Sequence, residues 1–226
     1  MIKWAQKPES RYVCVANVHV VMEAYDSPDF REVINSADLV TPDGMPLVWT
    51  LRALGVRDQT RVYGPELTLW LLEAAAQEEI PVGFYGSSPG TIQRLVDVLK
   101  KRFPSLNIAY SFSPPYRPHT AEEDEAVVRE INASGVRILL VGLGCPKQER
   151  WMAEHKGRVQ AVMLGVGAAF DFIAGVKKQA PHWMQGHGLE WLYRLSQEPG
   201  RLWRRYLYTN PRFAALILLN LLSRKK

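Results

Sequence analysis

A chain of 226 residues, 47% hydrophobic and 23% charged, can bury a sizeable core, and no linker or low-complexity block divides it; a disordered protein and a string of independent modules are both excluded. The two cysteines, Cys14 and Cys145, have no CxxC spacing and none of the five histidines belongs to an HExxH motif, so neither a disulfide framework nor a structural metal is expected, and both thiols should be buried and reduced. The net charge of +5 is uneven: eight basic residues face two acidic ones between His182 and Lys226, leaving the first 181 residues slightly acidic.

The start of the chain, MIKWAQKPES, has no apolar run ahead of a small-residue cleavage site, which makes the cytoplasm the expected location. Short β-rich runs then alternate with helical patterns. The strands are expected at 12–17, 37–41, 82–86, 107–112, 137–142 and 159–167, and helices at 66–79, 91–103 and 121–133, where apolar residues recur at three and four positions. This alternation predicts an α/β fold, a Rossmann-like and largely parallel sheet flanked by helices. Helix 66–79, rich in Ala and Leu, suits packing on the sheet or against a second copy of the chain. The α/β domain is expected over 1–175. From 176 to 226 an aromatic, basic and helical appendage follows, whose most apolar stretch, Phe213 to Leu222, is half of the roughly 20 residues a membrane-spanning helix needs. It can lie on an anionic membrane surface without crossing it.

Ligands of open parallel sheets bind beyond the carboxyl ends of the strands. Asp43, in TPDGMPLVW (41–49), follows a strand directly and suits either the cap of the helix that begins near Met45 or a general base. In VGFYGSSPG (82–90), Gly86 and Ser87 open a turn that is either ordinary or one that admits phosphate to a helix start. In VGLGCPKQERW (141–151), Gly144 permits close approach, Lys147 can neutralise phosphate, and Gln148 can donate and accept hydrogen bonds. Asp171, between two phenylalanines in GVGAAFDFIAG (165–175), needs a basic partner if buried. No GxGxxG or GxxxxGK[ST] is complete, and no DxD pair is present to hold a divalent ion on a nucleotide diphosphate.

Six ordered blocks together resemble the WecG/TagA/CpsF group of bacterial glycosyltransferases, glycosyltransferase family 26: VANVHVV (15–21), ADLVTPDGMPLVW (37–49), RVYGPEL (61–67), VGLGCPKQERW (141–151), GVGAAFDFIAG (165–175) and GLEWLYRLSQEPGRLWRRYL (188–207). The resemblance implies a GT-E type fold, a UDP-sugar donor, no required metal or other cofactor, and an acceptor sugar carried on polyprenyl diphosphate. It implies Asp43 as catalytic base and Asn17 and Gln148 on the donor side, to which Arg61, Gly64, Gly86, Ser87, Gly144 and Lys147 are added. Arg194, Arg201, Arg204 and Arg205 match the segment associated with the acceptor and its diphosphate. Val15 stands where many members have Thr, which removes a hydroxyl from the donor side.

The resemblance together with these residues implies inverting, metal-independent transfer of an N-acetylmannosamine-type sugar or a hexose in cell-surface polysaccharide synthesis, by an enzyme peripherally attached to the inner face of the cell membrane. Two other readings compete. A nicotinamide-dependent oxidoreductase is suggested by the paired glycines but lacks the fingerprint and its acidic ribose-binding residue. A nucleic-acid-binding module, suggested by the basic tail, leaves Asp43 and Gln148 without a purpose, so no nucleic-acid partner is expected. Self-association stays open. Trp183, Trp191 and Trp203 suit a membrane interface or core packing, and for Trp191 core packing is expected.

Overall fold

The computed structural model describes residues 1–223. Arg224, Lys225 and Lys226, three of the eight basic residues of the tail, lie outside the described residues.

In chain order the elements are α1 (Ile2–Ala5), β1 (Arg11–Ala16), α2 (Val18–Asp26), α3 (Pro28–Asn35), β2 (Leu39–Pro42), α4 (Met45–Ala53), α5 (Gly64–Gln77), β3 (Val82–Gly86), α6 (Pro89–Arg102), β4 (Ile108–Phe112), α7 (Ala121–Ala133), β5 (Ile138–Gly142), α8 (Lys147–Glu154), β6 (Val162–Gly165), α9 (Ala169–Ile173), α10 (His182–Gly186), α11 (Glu190–Gln197) and α12 (Pro199–Ser223). The six strands form one parallel sheet in the order β2-β1-β6-β5-β3-β4. The α/β class expected from the alternation is therefore the class observed. All six expected strands exist, with ends moved by up to three residues, while α2 and α3 fill a stretch in which no helix was expected.

By internal contacts the chain divides into two compact units. The first contains Met1–Val15, Glu32–Val40 and Gly64–Lys178. Its central strands β1, β6, β5 and β3 are buried on both faces, as parallel strands covered by helices are, whereas the edge strand β4 has no buried residue. The period of two assigns alternate residues to two separate cores: Val13, Ile138, Leu140, Val162 and Leu164 join one with Leu72, Leu95 and Phe170, whereas Tyr12, Cys14, Leu139, Val141 and Met163 join the other with Ile131 and Met152. Each fully buried large apolar side chain contributes about 1.5–3 kcal/mol. Burial pushes the Tyr12 phenol up to about 12.

Helix ends in this unit follow local chemistry. Ser88 caps α6 by accepting from Thr91 N, with Pro89 in the first turn. Thr120 and Glu123 form a reciprocal capping box at α7, and Arg117 donates to both Glu123 oxygens, so the Glu123 carboxyl falls to about 2. Asp171 pairs with Lys177 at 2.8 Å, the basic partner that its apolar setting required. Cys14 is buried as expected, but Cys145 is only half-buried, because it lies in the turn between β5 and α8 rather than within a strand.

The second unit contains Ala16–Arg31, Thr41–Tyr63 and the chain from Gln179 onward. Here α12 is pinned to α2 by a two-pronged pair in which Arg212 donates to both Asp26 oxygens at 2.6 and 2.8 Å. Trp191 packs edge-to-face on Tyr206 at 5.7 Å but stays 37% exposed, so the core position expected for it is not what it occupies; short α11 has no buried residue. Within α12, Trp203, Leu207, Leu218 and Leu222 recur at helical spacing and are all exposed, which makes an unburied apolar stripe on a basic helix.

Candidate active site

Asn17, Asp43 and the appendage arginines all belong to the second unit. Asn17 caps α2, with Oδ1 accepting from His19 N at 3.0 Å and Val20 N at 3.3 Å. Asp43, the residue after β2, donates its backbone N–H to the carbonyl of Ala16. The cap position of the following helix is taken by Gly44, at a φ of 104°. The Asp43 carboxylate turns to Arg61, whose Nε and Nη2 donate to Oδ1 at 3.1 and 2.9 Å.

Arg61 is the centre of this arrangement. Its Nη2 also donates to Glu190 Oε2 at 2.5 Å, and its guanidinium lies 4.1 Å from the ring centre of Tyr63. Burial opposes the Arg61 charge, yet the two carboxylates, Asp43 first and Glu190 second, outweigh it and hold the guanidinium above its ordinary pKa. Tyr63 is raised chiefly by burial and further by Glu190 and Asp43, with Arg61 and Arg194 pulling the other way. Burial likewise raises Tyr206, against the fields of Arg194, Arg205 and Arg201. Asp43, Arg61, Arg194, Arg201 and Arg205 thus share one electrostatic neighbourhood. Arg204 instead lies over Trp203, 5.3 Å from its ring centre.

Gly64, Gly86, Ser87, Gly144, Lys147 and Gln148 belong to the first unit. Gly64 begins α5, and its carbonyl accepts from the buried hydroxyl of Thr68. Gly86 ends β3 opposite Gly142 of β5, and a Cβ added to it would stand 2.6 Å from the Gly142 backbone at a φ of 125°. Ser87 follows with φ of 59°, its N–H donating to Gly142 O and its carbonyl accepting from Ser113 Oγ. The turn after β3 is therefore locked to the strands on either side.

Gln148 is nearly buried, 4% exposed. Its Oε1 accepts from Gly144 N at 3.1 Å, and its Nε2 donates to Glu149 Oε1 at 2.8 Å. Gly165 has no Cβ to collide with that amide, since one would lie 3.0 Å from Nε2. Burial raises the Glu149 carboxyl pKa, despite bonds from Gln148 and Cys145. Lys147 opens α8 and sits 4.8 Å from the ring centre of Tyr116, a fully exposed aromatic face.

Glu190, Tyr63, Glu149 and Tyr116 were not singled out in the sequence. Glu190 lies 129 positions from its partner Arg61, and no local pattern joins them. Glu149 could have been found, because a carboxylate on the sheet-facing side of a helix that opens after a buried strand must be either paired or neutral.

The chain matches, over residues 1–226, the family described as glycosyl transferase WecG/TagA/CpsF, and it belongs to that family. It is a glycosyltransferase. Among its relatives, an N-acetylglucosaminyldiphosphoundecaprenol N-acetyl-beta-D-mannosaminyltransferase of Bacillus spizizenii strain W23 is 33% identical over 208 residues, 92% of this chain and 78% of the relative. The enzyme of the same name from Bacillus subtilis strain 168 is 29% identical over 207 residues, 91% of this chain and 78% of that one.

Proposed function

We propose that the protein transfers an N-acetylmannosamine-type sugar or a hexose from a UDP donor to a saccharide carried on polyprenyl diphosphate, with inversion and without a metal ion, in the synthesis of a cell-surface polysaccharide. The observation that carries the reading is the Asp43 carboxylate, which directly follows the strand end of β2 and is held by Arg61. The acceptor hydroxyl attacks the anomeric carbon while Asp43 takes its proton, and UDP departs from the opposite face. On the donor side, Lys147 and the backbone around Gly86, Ser87 and Gly144 supply positive charge and close approach to the diphosphate, with Gln148 holding the turn at Gly144, and Asn17, the cap of α2, is assigned to the donor by the family resemblance. The relatives, by their names, act on an N-acetylglucosamine joined to a polyprenyl diphosphate, and a similar acceptor would meet Arg194, Arg201, Arg204 and Arg205.

The segment from residue 176 onward is assigned to acceptor and membrane engagement. No helix among the described residues is long and apolar enough to cross a bilayer. The exposed stripe of α12 would lie in the interface at the inner face of the cell membrane, and each basic residue near an anionic surface would contribute about 1 kcal/mol.

The reading is tested by measuring UDP release from a panel of UDP-sugars, with a polyprenyl-diphosphate-linked N-acetylglucosamine acceptor and EDTA present, for the native chain and for Asp43→Asn. Acceptor-dependent release that survives EDTA and falls about 10²- to 10⁴-fold in the variant supports it. Release that needs acceptor but is abolished by EDTA removes the metal-free mechanism, and undiminished activity in Asp43→Asn removes the base.

A further inference from the structure

Arg61 serves two carboxylates with one nitrogen. Nη2 donates to Asp43 Oδ1 at 2.9 Å and to Glu190 Oε2 at 2.5 Å, while Nε adds a second bond to the same Asp43 oxygen. The guanidinium face is occupied by Tyr63, so the cation is held along two edges and one face. A carboxylate bound by a guanidinium alone is stabilised in its ionised form, which weakens it as a proton acceptor. A second carboxylate on the same guanidinium draws on that charge and adds a negative field of its own. Glu190 is the first residue of α11.

We propose that Glu190 is a positioning residue that fixes Arg61 against Asp43 and keeps Asp43 basic enough to accept the proton of an attacking hydroxyl. The inference rests on the reading of Asp43 as general base. The charged and titratable groups that bear on the cluster are Arg61 and Tyr63 from the segment before α5, Glu190 and Arg194 from α11, and Tyr206 with Arg201 and Arg205 from α12. Both phenols stay neutral because burial raises them, and the three further arginines add positive charge. Glu198 pairs with Arg201 at 2.9 Å and offsets part of that charge, while Glu190 is the carboxylate that meets Arg61 beside Asp43.

The test compares the native chain with Glu190→Gln and Glu190→Asp by two measurements: NMR titration of the Asp43 carboxyl carbon, and the pH dependence of kcat/KM for UDP release. Glutamine keeps an oxygen to accept from Nη2 but removes the charge. Removing a negative neighbour favours ionised Asp43, so its titration and the acidic limb of kcat/KM should both move to lower pH by about 0.5–1 unit. The plateau should fall about three- to tenfold as the base weakens. Glu190→Asp, which restores the charge, should bring the titration back toward native. An Asp43 titration unmoved in Glu190→Gln overturns the proposal, even if the variant is less stable or less active, since that is the outcome of a purely structural role. A titration that moves while Asp43→Asn stays fully active leaves the charge coupling in place and overturns the base assignment beneath it.

Discussion

Gln148 and Glu149 are adjacent in sequence and bonded through their side chains, with Gln148 Nε2 donating to Glu149 Oε1 at 2.8 Å inside a helix start where Glu149 has no exposed surface. The pair fixes which way the Gln148 amide faces: its oxygen turns to Gly144 N and its nitrogen to the acid. A buried carboxyl with little compensating charge is most stable when protonated.

The consequence for stability follows from the raised Glu149 pKa. The folded state holds the proton more tightly than the unfolded state, so the contribution is fully present below the ordinary carboxylate range and is lost as pH rises toward the folded value. Glu149→Gln keeps the acceptor and removes the ionisation. Urea denaturation at pH 5 and pH 7.5 should show the native chain losing stability over this interval and Glu149→Gln losing less. An equal loss in both would assign the pH dependence to other groups.

Asp124 has the opposite sign. Burial works against its charge, but the hydrogen bond from Arg158 and the charge and bond of His155 outweigh it and lower its pKa. Its stabilisation is present above the ordinary carboxylate range and disappears as pH falls through the lowered value. Asp124→Asn should cost about 1–3 kcal/mol at pH 7, in keeping with hydrogen bonds to charged groups. The difference from the native chain should shrink on acidification below about pH 4, the usual carboxylate range, in denaturation curves taken at each pH.

Gly86 cannot carry a side chain without displacing the strand beside it, since the added Cβ would meet the Gly142 carbon at 2.6 Å and the φ of 125° is itself unfavourable for other residues. Gly86→Ala should destabilise the fold by about 2–4 kcal/mol, combining backbone strain with a collision against backbone that cannot rotate away. Because Ser87 N also bonds Gly142 O, the turn should shift with it. Isothermal titration with UDP should then show weakened binding in whatever fraction remains folded.

Leu218 and Leu222 are four apart on α12 and both more than half exposed. If this stripe docks on lipid, Leu218→Glu with Leu222→Glu should lower co-sedimentation with vesicles containing anionic lipid by at least tenfold, since burial of a leucine side chain is worth about 1.5–3 kcal/mol. UDP binding should be unchanged. Equal sedimentation of both proteins would remove the stripe from membrane attachment.

The strands and the class of fold were legible because side-chain alternation and helical periodicity are local properties, and Val82–Gly86 was read to the residue. The family was legible for a related reason, as six blocks retain their order along the chain. Asp43 stood out because it follows a strand directly, but its immediate neighbours could not say whether it caps a helix or turns away. Its partner is Arg61, eighteen positions on, which also bonds Glu190, far beyond both. The burial of the Gln148 amide and the exposure of Trp191 were decided by packing. Local sequence sets which backbone conformations are cheap; which charged groups finally meet depends on residues distant along the chain, and only the folded arrangement brings those together.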